Sequence, residues 1–279
     1  MSKEILGSLE LNRIYQFDCV EGMKLIPDNS IDLIITSPPY DNVRDYKDNG
    51  WKLDLHSVGE QIHRVLKDGG ICVMVIQDQT KDGRKSVTSF KTIVDWTENV
   101  GLGLWETVIY ERSGTPGAWW NKRFRVDHEY VPIFIKGKRP QHFDKEHMKV
   151  DNPNKGKSGG SIRNTKGELV DVSGVSPDKK CCGTVMNYAS SSREGNGLTS
   201  KEGHKLKLQH PATFPDKLVS DFIQAFTTEE MVVLDPFMGS GTTAVVSTLN
   251  NRKFIGFEIA PEYIEIANKR LDNLQDYEK

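Results

Sequence analysis

Residues 232–243 constrain the fold more than any other part of the chain, and they read Val-Val-Leu-Asp-Pro-Phe-Met-Gly-Ser-Gly-Thr-Thr. A β-branched apolar run leads into a glycine-rich turn, and a segment with helical periodicity follows at once. A strand joined to a helix by such a turn is a building unit of parallel α/β sheets. The segment therefore predicts a parallel sheet with helices packed against it.

The alternation of strand and helix patterns continues through most of the chain. Short apolar runs bounded by Pro or Gly predict strands, and apolar residues at intervals of three and four predict helices. Strands are predicted at residues 31–35, 71–76, 104–110, 129–135, 231–234 and 254–257. Helices are predicted at residues 57–66, 88–99, 214–226, from 242 onward, and at 261–274. This alternation assigns the chain to the α/β class, with a mostly parallel sheet and helices on both faces.

Composition excludes several classes of protein. Apolar residues make up 37% of the 279 residues, which is enough for a core and excludes wholesale disorder. The sequence contains no apolar run long enough to span a membrane, and its first residues lack the apolar stretch of a secretory signal. The four cysteines have no Cys-x-x-Cys spacing, and the seven histidines are scattered. We therefore expect a cytoplasmic protein with reduced thiols and no metal site.

Charge is divided unevenly along the chain. Residues 136–210 contain 15 Lys and Arg against 8 Asp and Glu, whereas the remainder contains 22 against 31. The basic stretch is also rich in Gly, Ser and Asn, which is typical of loops. Composition alone leaves two interpretations open: a solvated insertion, or a module that faces a polyanion such as nucleic acid.

The glycine-rich turn has the residue types of a nucleotide-binding site. A turn at a helix N-terminus can present backbone amides to a ligand. Gly239-x-Gly241-x-x-Ala244 also matches the dinucleotide fingerprint, with Glu258 as the acid that binds a ribose, so an NAD-dependent oxidoreductase is an alternative. Asp235 before the glycines instead suits a ligand with an ammonium group, and Phe237 can pack against a thioether or sulfonium. S-adenosylmethionine contains all of these groups.

A second turn follows the predicted strand 31–35 and reads Thr36-Ser37-Pro38-Pro39-Tyr40. Two prolines make a rigid turn at the carboxyl end of a strand, where ligands bind in open parallel sheets. Ser37 and a backbone carbonyl can accept hydrogen bonds from a planar amine, while Tyr40 can stack on its ring. A turn that only terminates the strand is the alternative interpretation.

The two turns together resemble the amino-methylating DNA methyltransferases of bacterial restriction–modification systems. Because the Ser-Pro-Pro-Tyr turn comes first, a basic stretch second and the glycine-rich turn last, the chain resembles the permuted β group of that family. The resemblance implies a Rossmann-like methyltransferase fold, S-adenosylmethionine as the cofactor and double-stranded DNA as the partner. It also implies a division into residues 1–137 with the target-base turn, a target-recognition insertion at 138–208, and a cofactor-binding part at 209–279 of the same catalytic domain.

The resemblance assigns roles to individual residues. Asp18, followed by Cys19, corresponds to the acid that holds the adenine amine of the cofactor. The segment His210-Pro-Ala-Thr-Phe-Pro215, which includes Thr213 and Phe214, corresponds to the segment that closes over the methionine end. The remaining predicted cofactor contacts are Asp235, Phe237, Gly239, Ser240, Gly241, Thr242 and Glu258. The predicted catalytic residues are Ser37, Pro38, Pro39 and Tyr40, and the predicted DNA contacts are Lys155, Lys157, Arg163 and Lys166.

The predicted reaction is transfer of a methyl group to the exocyclic N4 amine of a flipped-out cytosine. Ser before Pro-Pro-Tyr is commoner among the cytosine N4 enzymes of the family, and adenine N6 methylation is the alternative. The sequence has no Pro-Cys nucleophile turn, which argues against a cytosine C5 methylase. A catalytically silent DNA-binding module is a further alternative. The family also leads us to expect a homodimer and a cognate restriction endonuclease as partners.

Overall fold

The computed structural model describes residues 3–39, 53–113, 124, 126–157, 159–171, 174–189, 201–210 and 213–274. Its strands are β1 Ile5–Leu6, β2 Leu9–Glu10, β3 Arg13–Gln16, β4 Ile31–Thr36, β5 Leu66–Met74, β6 Thr80–Lys81, β7 Arg84–Lys85, β8 Gly103–Ser113, β9 His128–Ile135, β10 Lys149–Asp151, β11 Ser161–Arg163, β12 Leu169–Asp171, β13 Lys179–Cys181, β14 Val185–Ala189, β15 Val232–Asp235 and β16 Lys253–Glu258. Its α-helices are α1 Cys19–Met23, α2 Leu55–Val65, α3 Thr88–Asp95, α4 Lys201–Lys207, α5 Asp216–Phe226, α6 Thr242–Leu249 and α7 Pro261–Asp272.

The central sheet has eight strands in the order β14-β8-β9-β5-β4-β15-β16-β3. The strands β5, β4, β15, β16 and β3 are all parallel, and β9 runs antiparallel to both of its neighbours. All six residues of β4 are buried, as expected for a strand covered by helices on both faces. The predicted α/β class with a mostly parallel sheet is confirmed.

The path of the chain through the sheet creates a ligand-binding position. After β3 the chain passes over two strand positions and enters the sheet again at β4. Strands β15 and β16 later fill those two positions, so β4 and β15 are neighbours although about 200 residues separate them in sequence. In open α/β sheets, ligands bind beyond the carboxyl ends of the strands at such a change of order.

Several element boundaries differ from the predicted ones by a few residues, and two of the differences have a clear structural cause. The strand predicted at 71–76 begins earlier, at Leu66, because the backbone around Gly69 (φ +76°) bulges and continues in the sheet instead of ending helix α2 in a loop. The helix predicted at 88–99 is α-helical only to Asp95. Residues Trp96–Val100 form one π-helical turn, which Gly101 ends at φ +90°.

A smaller compact unit comprises Asp144–Gly183. It contains two antiparallel ribbons, β10 with β13 and β11 with β12. The unit is shorter than the target-recognition segment 138–208 that the family resemblance implies, because β14 pairs with β8 in the central sheet. It is also less basic than that segment, with eight Lys and Arg against six Asp and Glu.

Among the residues that the structure describes, none of the helices has the length and apolar character needed to cross a membrane.

Candidate active site

The residues predicted to bind ligands follow one edge of the central sheet. Asp18 comes after β3, Glu258 ends β16, Asp235 ends β15, and Ser37 comes after β4. These four strands are parallel and adjacent in the order β3, β16, β15, β4, so their carboxyl ends share an edge. Neighbouring strands lie about 4.8 Å apart, so the edge from β3 to β4 is about 14 Å long. The two turns that the sequence separates are therefore neighbours in the fold.

A buried carboxylate joins the two turns. Asp235 Oδ1 accepts hydrogen bonds from Thr36 Oγ1 at 2.8 Å and from the Phe237 amide at 3.0 Å. Its Oδ2 accepts from Thr243 Oγ1 at 2.7 Å. Thr36 directly precedes Ser37, and Thr243 lies in the first turn of α6. One side chain thus holds the end of β4 against the glycine-rich turn and the helix that follows it.

The environment of Asp235 disfavours its charge. The side chain is 1% exposed, and burial raises its pKa from 3.8 to about 6, although hydrogen bonds from Thr243, Thr36 and the Phe237 amide act in the opposite direction. A carboxylate offers about four acceptor positions, and these donors fill three of them. These donors leave one acceptor position, on Oδ2, unfilled.

The amides of the glycine-rich turn are largely occupied, contrary to our expectation that they face a ligand. Four of them donate within the protein: Phe237 to Asp235, Met238 to the Phe257 carbonyl, Gly239 to Glu258, and Gly241 to the Met238 carbonyl. A dinucleotide fingerprint uses such amides to bind a pyrophosphate. Their engagement argues against that interpretation of the turn.

Glu258 connects β16 to the glycine-rich turn. Its Oε2 accepts from the Gly239 amide at 2.8 Å, and its Oε1 accepts from the Ala260 amide at 2.9 Å. Burial raises the pKa of Glu258, while hydrogen bonds from the amides of Ala260, Gly239 and Ile259 lower it. The amides of Gly239, Ala260 and Ile259 fill three of the about four acceptor positions of the carboxylate, which leaves one for a further donor such as a ribose hydroxyl.

Asp18 lies at the far end of the same edge. It caps the N-terminus of α1 by accepting from the Val20 amide at 2.9 Å and the Glu21 amide at 3.3 Å. Cys19 is 4% exposed, and burial raises the pKa of its thiol to about 12, with the charges of Asp18 and Glu258 acting in the same direction. Cys19 is therefore a neutral, buried thiol beside two acids.

His210 lies over the glycine-rich turn. A Cβ atom placed on Gly239 would be 3.1 Å from His210 Nε2, and the His210 ring packs against Tyr263 with its centroid 4.2 Å away. Thr213 and Phe214 are half-buried between His210 and α5.

In the turn after β4, Ser37 and Pro39 are half-buried and Pro38 is buried. The predicted stacking residue, Tyr40, lies outside the described residues.

A buried charge cluster that was not predicted from the sequence lies beneath the turn. Arg270 Nη1 donates to the Ser240 carbonyl at 2.6 Å and lies 3.3 Å from Thr242 Oγ1. Asp216 Oδ1 lies 3.7 Å from Arg270 Nη2 and 2.7 Å from Lys207 Nζ, and all three charged side chains are fully buried. Arg in the last turn of a helix is usually exposed, so the sequence did not distinguish Arg270 from its exposed neighbour Lys269.

The four predicted DNA contacts lie in or beside the ribbons of the smaller unit. Lys155 forms an ion pair with Asp178 at 2.6 Å, Lys157 Nζ donates to Asn154, and Arg163 donates to the Gly167 carbonyl. The Lys166 side chain has no hydrogen-bond partner among the described residues. Three of the four cations are therefore engaged within the unit.

The described part of the chain contains no group of three or more His, Cys, Asp or Glu side chains arranged to hold a metal ion.

Comparison with known sequences gives one consistent family. Residues 31–269 match the family model of N6/N4 DNA methylases. The orphan methyltransferase M.BamHII of Bacillus amyloliquefaciens is 39% identical over 253 residues, which cover 89% of this chain and 91% of that protein. The type II methyltransferase M.BglII of Bacillus subtilis is 30% identical over 283 residues, which cover 95% of this chain and 70% of that protein.

Comparison with solved structures agrees. The PvuII DNA methyltransferase, described as cytosine-N4-specific, has a TM-score of 0.68 and 25% identity, and the match covers 92% of this chain and 85% of that chain. The fold and the paired turns define a Rossmann-like methyltransferase. The chain belongs to the N6/N4 DNA methylase family, and the resemblance stated from the sequence is confirmed. Its activity is that of a DNA amino-methyltransferase.

Gly241 is predicted to be irreplaceable for reasons of packing. Its φ is +79°, and an added Cβ would lie 2.6 Å from the Cβ of Ala267 in α7. We expect Gly241→Ala to lower the free energy of unfolding by about 1–2 kcal/mol for the left-handed backbone and by about 1–3 kcal/mol more for overpacking. A double-mutant cycle with Ala267→Gly, followed by urea unfolding, separates the two contributions. Additive effects of the two substitutions would contradict the proposed contact.

Asp235 is predicted to make stability depend on pH. Because its pKa is 3.8 in the unfolded chain and about 6 in the folded protein, its contribution is fully present below pH 3.8 and is lost as pH rises to about 6. Relative to Asp235→Asn, the wild type should therefore lose about 1–3 kcal/mol of unfolding free energy across that range. Urea unfolding at a series of pH values measures the difference. Parallel curves for the two proteins would show that the carboxyl group titrates normally.

Proposed function

We propose that this chain transfers a methyl group from S-adenosylmethionine to the N4 amine of a cytosine that is flipped out of duplex DNA. One observation carries the proposal. The strand ends β3, β16, β15 and β4 present, in that order, an acid, a second acid, the glycine-rich turn and the Ser-Pro-Pro turn. This order matches the parts of the cofactor, from adenine through ribose to methionine, followed by the acceptor amine.

Each proposed cofactor contact follows from this order. Asp18 accepts a hydrogen bond from the adenine amine, and Glu258 accepts from the ribose hydroxyls at its remaining acceptor position. The methionine end lies at the turn formed by Gly239, Ser240, Gly241 and Thr242. His210, Thr213 and Phe214 cover that end, Phe237 contacts the sulfonium, and the remaining acceptor position of Asp235 receives the ammonium group. Cys19 contributes apolar packing beside the adenine.

The Ser-Pro-Pro turn supplies the chemistry proposed for the target base. The lone pair of an exocyclic amine is delocalised into its ring, which makes the amine a poor nucleophile. Acceptors at Ser37 and the Pro38 carbonyl hold the two amine hydrogens and favour a pyramidal nitrogen, while Pro39 keeps the turn rigid. With S-adenosylmethionine bound, the nitrogen would lie in line with the sulfonium methyl; as the N–CH₃ bond formed and the S–CH₃ bond broke, S-adenosylhomocysteine would be the leaving group and the amine would release one proton to water. Orientation supplies much of the rate, and no covalent enzyme intermediate forms.

Two observations favour cytosine over adenine as the target. Ser37 precedes Pro-Pro-Tyr, and the PvuII enzyme, whose structure this chain resembles, is described as cytosine-N4-specific. Adenine N6 methylation is the second candidate, because the matching family includes both kinds of enzyme. The NAD-dependent alternative loses support, since the turn amides that would bind a pyrophosphate are engaged within the protein.

Double-stranded DNA is the proposed partner, and target recognition is proposed for the segment 138–208 and its compact unit. Lys155, Lys157, Arg163 and Lys166 remain proposed phosphate contacts. The first three must exchange an internal partner for a phosphate, which reduces the gain from each contact. A cognate endonuclease and a homodimer stay predictions of the family resemblance.

The experiment that tests this function is methylation of plasmid DNA with labelled S-adenosylmethionine, followed by mass spectrometry of the nucleosides. The proposal predicts N4-methylcytosine. N6-methyladenine as the labelled product would overturn the choice of base and retain the reaction class. If the protein is folded and binds the cofactor but leaves the DNA unlabelled, the proposed reaction itself is overturned.

Tyr40 is predicted to separate cofactor binding from catalysis. We expect Tyr40→Ala to leave S-adenosylmethionine affinity nearly unchanged and to reduce methyl transfer sharply, because the flipped base loses stacking of about 1–3 kcal/mol and its in-line geometry. Tyr40→Phe keeps the ring and should keep much of the activity. Single-turnover methylation and calorimetric cofactor binding measure the two properties. Full activity of Tyr40→Ala would show that the turn is only structural.

A further inference from the structure

A short basic hairpin lies beyond the carboxyl end of β5, the strand next to β4. It consists of β6 and β7, joined by the two-residue loop Asp82-Gly83. Both loop residues have positive φ, +49° and +75°, which is the geometry of a tight type I′ turn. Because β4 and β5 are parallel, the hairpin follows the same edge of the sheet that carries the Ser-Pro-Pro turn.

The hairpin is fixed at its base. Lys85 Nζ donates to the Asp78 carbonyl at 2.9 Å, and the Ser86 amide donates to the Gln79 carbonyl at 3.0 Å. The buried carboxylate of Asp78 in turn accepts from the amide and hydroxyl of Ser89 at the start of α3, both at 2.9 Å. A hairpin held in this way presents its remaining side chains in a defined place.

Two cations of the hairpin share one face. Lys81 and Arg84 are direct cross-strand partners, so their side chains project on the same side and their Cβ atoms lie about 5 Å apart. Both residues are exposed, and within the described residues neither side chain forms an ion pair or hydrogen bond. Like charges placed directly opposite each other are destabilising. An anion between them would remove that repulsion.

The hairpin also differs from its surroundings in charge. Outside residues 136–210 the chain has 22 Lys and Arg against 31 Asp and Glu, yet residues 80–85 contain three cations and one acid. The cations that sequence analysis selected are mostly engaged within the smaller unit, whereas Lys81 and Arg84 are not. Lys81 and Arg84 are therefore better placed than the cations of the smaller unit to bind a polyanion that enters from the target-base side.

We propose that Lys81 and Arg84 clamp one backbone phosphate of the DNA that carries the target base. This inference rests on the proposed function, since it takes the substrate to be duplex DNA. The contact is to the phosphate alone and carries no base specificity. This contact holds the DNA strand beside the Ser-Pro-Pro turn while the target base occupies the site.

The test measures DNA affinity against salt for the full-length chain. Loss of one phosphate contact lowers the log–log slope by about 0.9 and the affinity at 0.1 M salt by about 8-fold. We expect this change in Lys81→Gln/Arg84→Gln, with unchanged calorimetric affinity for S-adenosylmethionine. The control Lys24→Gln/Lys269→Gln removes the same charge from two exposed side chains, one at the end of α1 and one in α7, and should keep the wild-type slope. An equal fall in both double variants would reduce the effect to net charge and overturn the proposal.

A second variant separates phosphate binding from hairpin stability. Arg84→Glu places opposite charges across the hairpin, so β6 and β7 should pair at least as well as in the wild type, while the phosphate contact is lost. We expect DNA affinity to fall further than in the neutral variant. Wild-type affinity and slope in both hairpin variants would overturn the proposal. If the wild type methylates DNA in the same assays, the proposed function survives that outcome.

Discussion

The hydrogen bonds of Asp235 are the interaction on which the rest of this site depends. A carboxylate that is 1% exposed accepts from Thr36 at the end of β4 and from Thr243 at the start of α6. Burying this charge is unfavourable, as the raised pKa shows, and three donors offset the cost only in part. The main effect of these hydrogen bonds is therefore to fix geometry and not to add stability. They hold the glycine-rich turn and the Ser-Pro-Pro turn, about 200 residues apart in sequence, in one fixed arrangement.

The glycine-rich turn is held from its other sides as well. Glu258 accepts from the Gly239 amide, Arg270 donates to the Ser240 carbonyl, and Ala267 leaves no room for a side chain at position 241. The Arg270 cluster buries two cations with one anion, an arrangement that is weak support for stability in general. Its bonds to the turn indicate that its main effect is to position the backbone. A turn held in this way needs little reorganisation when a ligand binds.

Much of the fold could be predicted because local patterns determine it. The buried strand at Ile31–Thr36 and the strand–turn–helix at residues 232–243 have short-range signatures that the structure reproduces. The meeting of Asp235 with Thr36 is a tertiary contact with no local pattern, so the sequence predicted both turns without predicting the bond between them. Arg270 and Lys207 were missed because buried cations have the same residue types as exposed ones. The engagement of the turn amides was missed because Asp235 and Glu258, which accept from the Phe237 and Gly239 amides, were assigned to the ligand alone.

We propose that the two turns form one site, in which a cofactor along β3, β16 and β15 directs its reactive methyl group toward the end of β4. A crystal structure of the chain with bound S-adenosylmethionine tests it most directly. We expect adenine at Asp18, the ribose hydroxyls at Glu258, and the sulfonium methyl facing Ser37. A cofactor bound away from Glu258, or with its methyl directed away from the Ser-Pro-Pro turn, would contradict it.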